Sequence, residues 1–320
     1  MAVAHALLNG TEAAGLAARL VAEIRQVTGG EPIVVAFSGG LDSTTVAALA
    51  KEALGASNVL LVTVNMGAYA YRRGNEIVLE MAEQLGLPQR CLLGQFAQHH
   101  VQRNGPACNR CAREIKLGMV RRVSRGRLVL TVCNGYYAPL LDLEKPQIRA
   151  IAAHFGLRIP KIGENPGREG CKLKHLLKPL INPNYHGRAV AEANEIVLRV
   201  LRQAGVTPEL ANVKIIGPLG RNIGLVNVKP PPDPDLKVAL LEALRALPVL
   251  DEVHIVETPL RLVVKAGPGV MNDPHARHWL QHGRMQPDFA FPIEVQWTPA
   301  RHNRLHTFQV VGFDYLTPSS

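Results

Sequence analysis

The chain has 320 residues, 47% of them apolar, with 36 Lys and Arg against 26 Asp and Glu, a net charge of +10 and a pI near 9.6. That apolar content supplies a packed core and excludes a disordered chain. No stretch reaches the roughly 18 apolar residues of a membrane helix, and the positive charge points to an anionic partner such as RNA or a nucleotide. The N-terminal MAVAHALLNG lacks the basic start and apolar core of a signal peptide. A cytoplasmic protein with reduced thiols is therefore expected. Its five cysteines then read as ligands, nucleophiles or buried thiols before disulfides.

In chain order, residues 11–28 read as an amphipathic helix ending at Gly29-Gly30. PIVVAF is a short apolar strand, STTVAALAKEAL a helix, and NVLLVTVNM a second buried strand. NEIVLEMAEQLGL is helical, RCLLGQF a strand, CAREIKLGMVRRVS helical, RLVLTVC a strand and KPQIRAIAAHFGL helical. This alternation predicts an α/β fold with a doubly wound, mostly parallel sheet through about residue 180. Pro, Asn and Gly in LINPNYHG interrupt the pattern, so a first domain over 1–182 and a smaller α+β domain over 183–320 are expected. The second holds the helix AVAEANEIVLRVLRQAG, the strands NVKIIGPL and IGLVNVK, a helix LKVALLEALRAL behind a proline run, and the strands EVHIVE and LRLVVKA. The last forty residues read as a His- and Arg-rich tail.

The first strand stops at Ser38-Gly39-Gly40-Leu41-Asp42-Ser43-Thr44. At a strand-to-helix junction, open amides and the helix dipole favour an anion. Glycines remove the Cβ that would keep a phosphate away, and the hydroxyls of Ser38, Ser43 and Thr44 can donate to it. Asp42 beside a phosphate implies a bridging Mg²⁺ or a role in holding the loop's amides. The GxxxxGK[ST] loop is excluded, because the lysine is missing and the spacing is wrong.

The string SGGLDS after a buried strand resembles the SGGxDS signature of the PP-loop ATP pyrophosphatases. The resemblance implies the adenine-nucleotide α-hydrolase fold, with ATP–Mg²⁺ at Ser38–Thr44 and cleavage between the α- and β-phosphates. AMP then passes to an acceptor oxygen and pyrophosphate leaves. It also implies adenine contacts at the end of the next strand, Asn65 and Met66. Asn134, in VCNGYYAP, stands where many relatives carry a histidine- or asparagine-plus-acid motif.

The cysteines bear on the nucleophile. Cys108 and Cys111 form a CxxC at a helix start, where the dipole lowers thiol pKa, and Cys171 lies among basic residues in REGCKLKH. Three thiolates leave one iron of a 4Fe-4S cluster open for an external sulfide. Zn²⁺ with His175 as fourth ligand, and a persulfide-carrying CxxC, are the alternatives. Cys91 and Cys133 read as packing residues. This order of loop and cysteines is similar to the three-cysteine iron–sulfur tRNA-thiolation enzymes. It is also similar to the sulfur transferases of lactate-racemase maturation, which act on a nicotinate-derived nucleotide. The resemblance thus implies catalytic roles for Asp42, Cys108, Cys111 and Cys171, with the three thiols as metal ligands.

Eight Lys and Arg lie between Arg103 and Arg127, and Arg168, Lys172, Lys174 and Lys178 surround Cys171. Arg113, Lys116 and Lys172 are the candidates for substrate phosphate. His275, His278, His282, His302 and His306 raise a metal reading of the tail, against which surface or RNA contact is favoured; Trp279 and Trp297 could stack on bases. The expected activity is an ATP-dependent sulfur transferase acting on tRNA or a nucleotide-like cofactor precursor, with a separate sulfur donor and no membrane; a homo-oligomer is left open. The alternatives are a PP-loop amidotransferase or ammonia ligase with structural zinc, and a non-catalytic nucleotide- or RNA-binding protein.

Overall fold

A computed structural model describes residues 10–130, 143–160, 171–301 and 304–316. Cys133, Asn134, Arg168 and His302 lie outside the described residues. The contacts divide the chain into two compact units, one of residues 1–65, 72–94 and 112–161, the other of residues 66–71, 95–111 and 162–320. None of the described helices is long and apolar enough to cross a membrane.

In the first unit α1 (Gly10–Thr28) leads into β1 (Ile33–Ala36), α2 (Leu41–Leu54), β2 (Val59–Asn65), α3 (Arg72–Leu85) and β3 (Gln89–Leu93). A helix over Gly118–Ser124, β4 (Val129–Leu130) and a helix over Lys145–His154 complete it. The strands form a parallel sheet in the order β3-β2-β1-β4. Successive residues of β1 face opposite ways, as the period of a strand demands. Ile33 and Val35 join a core with α1, α2, α3 and Ile151, whereas Val34 packs with Val62, Val120 and Val129. Helices thus cover both faces, and the sheet is doubly wound.

Two expectations fail at its edge. β3 is the outer strand and its burial is poor, so Cys91 is exposed rather than packed. The strand also ends at Leu93, and Gln95–Gln102 is a helix of the second unit.

The second unit holds two mixed three-stranded sheets. One has the order β5-β6-β7, with β5 (Leu210–Ile216), β6 (Ile223–Lys229) and β7 (Glu252–Ile255). The other has the order β10-β8-β9, with β8 (Leu260–Ala266), β9 (Ile293–Pro299) and β10 (Phe308–Tyr315). Helices over Arg188–Gln203 and Pro234–Arg245 flank the first; Asp233 caps the latter by accepting from the Leu236 amide at 2.8 Å. The expected tail therefore contains two strands. Phe308 and Val310 are fully buried in one core with Leu260, Leu262 and Val264.

Candidate functional site

The glycine loop turns β1 into α2. Gly39 sits at φ +66°, and a Cβ there would stand 2.9 Å from the Val78 Cα of α3. Both facts require glycine, so close packing of α3, as well as access for an anion, accounts for this residue. Gly40 is the N-cap, in extended conformation, and offers no side-chain cap. The first-turn N–H groups of α2 therefore point out without a capping side chain, the arrangement that binds a phosphate. Within the loop the Ser38 amide donates to Ser43 Oγ at 3.2 Å, and Ser43 Oγ donates to the Gly40 carbonyl at 3.2 Å. Thr44 Oγ1 is buried with no hydrogen-bond partner, an orphaned group that a phosphate oxygen would satisfy.

Asp42, in the first turn of α2, is held by a residue that the sequence did not reveal. Lys145 Nζ donates to its Oδ1 at 2.6 Å, from a helix start 103 positions away. Asp42 thus pairs with a lysine rather than with loop amides. Residues of the loop fit ATP with Mg²⁺, which needs only one or two carboxylates beside phosphate oxygens. Asn65 closes β2 and donates from Nδ2 to Asn75 Oδ1 at 3.3 Å. Met66 is buried at the start of a second-unit segment.

Cys108, Cys111 and Cys171 all belong to the second unit, yet each has its own surroundings. Cys108 Sγ accepts from Arg284 Nη2 at 3.1 Å. Cys111 is buried. Cys171 Sγ accepts from Gln98 Nε2 at 3.1 Å, and Gln98 is itself buried with Oε1 unpaired. Around Cys171, burial and then the thiol's charge push the Tyr69 phenol up to about 12 and the Tyr71 phenol higher still. Among the described residues no group of three or more His, Cys, Asp or Glu stands close enough to hold a metal ion. The described residues therefore lend no support to the 4Fe-4S cluster or to its zinc alternative.

His175 has one ring nitrogen engaged, Nδ1, while its Nε2 is buried with no hydrogen-bond partner. It is buried, and its Nδ1 lies 2.9 Å from Lys214 Nζ. Lys214 in turn donates to Asp288 Oδ2 at 2.8 Å, and Lys174 reaches Asp288 Oδ1 at 3.5 Å. Burial lowers Lys214 from 10.5 to about 8, against the pull of Asp288. Burial opposes ionisation of Asp288, but the two lysines hold it below the usual carboxylate range. Burial, then Lys214 and Lys174, keep His175 well below its ordinary value.

Of the phosphate candidates, Lys172 is buried, pairs with Glu195 at 2.8 Å and donates to the Ala68 carbonyl at 3.0 Å. Its charge is committed to the protein, which argues against a substrate role. Arg113 and Lys116 lie in a wide helical turn, Ala112–Leu117, of the first unit. The tail's His278 and His282 ring centroids lie 4.5 Å apart, the planes tilted by 42°, but no third ligand joins them among the described residues.

The family model "NAD synthase" matches residues 16–101, from α1 past β3. The tRNA-specific 2-thiouridylase MnmA of Geobacter metallireducens is 24% identical over 199 residues, 42% of this chain and 53% of that protein. Its counterpart from a Bradyrhizobium species is 25% identical over 185 residues, 40% of this chain and 47% of that protein. The glutamine-hydrolyzing GMP synthase of Hydrogenovibrio crunogenus is 34% identical over 67 residues, 21% of this chain and 12% of that protein. The chain spans about half the length of the two thiouridylases it matches. With SGGLDS placed between β1 and α2 of a parallel sheet, these matches support a PP-loop ATP pyrophosphatase-type domain in the first unit.

Proposed function

We propose that the protein is an ATP-dependent, AMP-forming sulfur transferase that replaces a carbonyl oxygen of a tRNA base by sulfur. The observation that carries the ATP half is the start of α2, with positive-φ Gly39, an N-cap lacking a side chain and the unpaired Thr44 hydroxyl. The acceptor oxygen attacks the α-phosphorus, the bond to the β-phosphate oxygen breaks, and pyrophosphate leaves. Amides of α2 and the hydroxyls of Ser38 and Ser43 hold the phosphates in line for this displacement. Bound with ATP, Mg²⁺ supplies charge neutralisation, and Asp42 is the loop's carboxylate for it. Lys145 orients Asp42 and adds positive charge.

The adenylated carbon is next attacked by sulfur carried as a persulfide. Its terminal sulfur forms the new C–S bond as AMP departs with the original oxygen, leaving base and protein joined through the S–S bond. A second thiol then attacks the inner sulfur, and the thio-base leaves with the electron pair of that S–S bond. The resulting disulfide is reset by an external dithiol reductant. The likeness to 2-thiouridylases over two-fifths of the chain supports sulfur and tRNA. Cys108 and Cys171, each receiving a hydrogen bond on sulfur, are the thiols suited to carry it. This reading implies a cytoplasmic enzyme. The likenesses to NAD synthase and GMP synthase favour a second reading, transfer of nitrogen to an adenylated acceptor.

Incubation with ATP, Mg²⁺, a persulfide donor and bulk tRNA, followed by mass spectrometry of the nucleosides, tests the proposal. It predicts AMP, pyrophosphate and a base in which sulfur has replaced oxygen. AMP release that depends on ammonia and proceeds unchanged in Cys108→Ser and Cys171→Ser would refute it in favour of the second reading. Turnover with a nicotinate mononucleotide and none with tRNA would overturn the choice of acceptor.

A further inference from the structure

The second unit carries a cleft of about 2030 Å³, well above the roughly 300–1,000 Å³ of a small-molecule pocket. Among the described residues its walls hold six cations, Arg103, Arg110, Lys265, Arg284, Arg301 and Arg304, and no aspartate or glutamate. The chain as a whole has 26 acids to 36 bases, so six cations with no acid on the described walls is a local excess of positive charge. Burial does not explain it, since all of these except the half-buried Arg284 are exposed. His100 and His306 add further donors, and Trp279, 48% exposed, adds a flat apolar face.

Four stretches of chain bring these cations together. Arg103 and Arg110 come from segment 95–111, Lys265 from the outward face of β8, Arg284 from the turns before β9, and Arg301 and Arg304 from the β9–β10 connection. The first and last are tied together, because the His306 amide donates to the Asn104 carbonyl at 2.9 Å. Gly105, at φ +114°, has no room for a Cβ against Thr307. The Thr307 hydroxyl, on the cleft wall, is buried with no partner. Cys108 lines the cleft, whereas Cys111 and Cys171 are not among its walls. Arg284, which holds the Cys108 sulfur, lies over the buried Phe308 ring at 5.3 Å.

We propose that this cleft binds the sugar–phosphate backbone of a single-stranded RNA segment, with Trp279 as a stacking platform and Cys108 facing the strand. The inference rests on RNA being the acceptor, and it assigns where that RNA is held and which thiol meets it. Cations in a groove track a phosphodiester backbone, and an exposed indole accepts any base. The volume suits several nucleotides rather than one.

The test titrates the full chain, without ATP, with a fluorescein-labelled 12-nucleotide single-stranded RNA between 50 and 200 mM KCl, read by anisotropy. Each neutralised phosphate of a single strand contributes about 0.7 to the salt slope, so four to six contacts give a slope of about −3 to −4 and a loss of about 50- to 300-fold in affinity. The double substitution Arg301→Glu and Arg304→Glu lowers that slope by about 1.4 and weakens binding by more than about tenfold. In the unmodified protein, RNA slows iodoacetamide labelling of Cys108 and leaves that of the exposed Cys91 unchanged. Salt-independent binding, equal affinity of the double variant, an unprotected Cys108, or displacement of RNA by equimolar poly-glutamate would each overturn the proposal. ATP–pyrophosphate exchange, measured on the same protein preparations with ATP, Mg²⁺ and bulk tRNA added as acceptor, separates the two readings. Exchange that is unchanged in the Arg301→Glu and Arg304→Glu double variant, with no binding of the 12-nucleotide strand, sinks the cleft alone. RNA binding at the cleft without tRNA-dependent exchange sinks the adenylation chemistry and leaves the cleft standing.

Discussion

Substituting Asp288→Asn perturbs the buried charge group of the second unit in a way that pH can dissect. Asp288 is the carboxylate that pairs with both Lys214 and Lys174. Lys214 is fully buried, and its pKa falls from 10.5 to about 8 even with Asp288 beside it. A base whose pKa is lower in the folded state binds fewer protons there, so this group's contribution to stability rises with pH between about 8 and 10.5. At pH 7 the charged Lys214 already opposes folding by about 3 kcal/mol, from about 2.5 pKa units at 1.36 kcal/mol each. Without Asp288 its pKa falls further and the amine becomes neutral. Neutralising it at pH 7 costs at most one further unit, or about 1 kcal/mol. At pH 9 the amine is mostly neutral in both proteins, and this difference nearly vanishes. His175, held well below its ordinary value, stays neutral throughout, and Lys174 shifts in the same direction as Lys214. Both tryptophans, Trp279 and Trp297, lie in the second unit, so urea unfolding followed by tryptophan fluorescence reports on the right part of the molecule. Asp288→Asn should be less stable than the parent at pH 7, with a deficit smaller by about 1 kcal/mol at pH 9. A deficit equal or greater at pH 9 would refute the assignment of the cost to Lys214.

Gly39→Ala forces a left-handed conformation that costs about 1–2 kcal/mol for an L residue, besides driving a Cβ against Val78. ATP–pyrophosphate exchange should be lost, and exchange at the parental rate would disprove the loop assignment. Lys145→Ala removes a pair whose lysine side chain is 62% exposed, so stability should change by less than about 1 kcal/mol while exchange falls at least about tenfold. A large shift in the unfolding midpoint with normal exchange would reverse that assignment. Cys108→Ser should abolish sulfur insertion and keep ATP–pyrophosphate exchange, with Cys91→Ser as the unaffected comparison. Sulfurated product from Cys108→Ser would remove this thiol from the reaction.

The elements of the first unit were legible because their signals are local. PIVVAF and NVLLVTVNM are apolar on both faces, as a doubly covered parallel sheet requires, and SGGLDS carries its turn chemistry in six consecutive residues. In the second unit the strands IGLVNVK and LRLVVKA are found over the residues read from sequence. The last sheet was hidden because Arg and His crowd the region. The inward residues Phe308 and Val310 of FQVVGFDY fix its pairing with β8, and only the partner strand reveals that. Cys91 was misplaced because a strand's apolarity does not say whether it is central or at an edge. Lys172 and Lys145 exchanged places for a similar reason. Burial against Glu195 occupies the lysine beside the cysteine, whereas a lysine far along the chain comes to Asp42. Spacing that suggested one site for three thiols likewise cannot measure the distances among Cys108, Cys111 and Cys171.

The interleaving of the two units along the chain sets an order of events during synthesis. Domains fold as units as the chain emerges. The described residues of the first unit end at 160, ahead of every strand of the second. The nucleotide loop can therefore take shape on the ribosome while Met66–Tyr71 and Gln95–Cys111 still wait for partners. Cys108 acquires Arg284 only after 176 further positions have been made. A nascent chain stalled before that point would hold its ATP loop and an unguarded thiol, and no single cut through the gene separates one unit intact from the other.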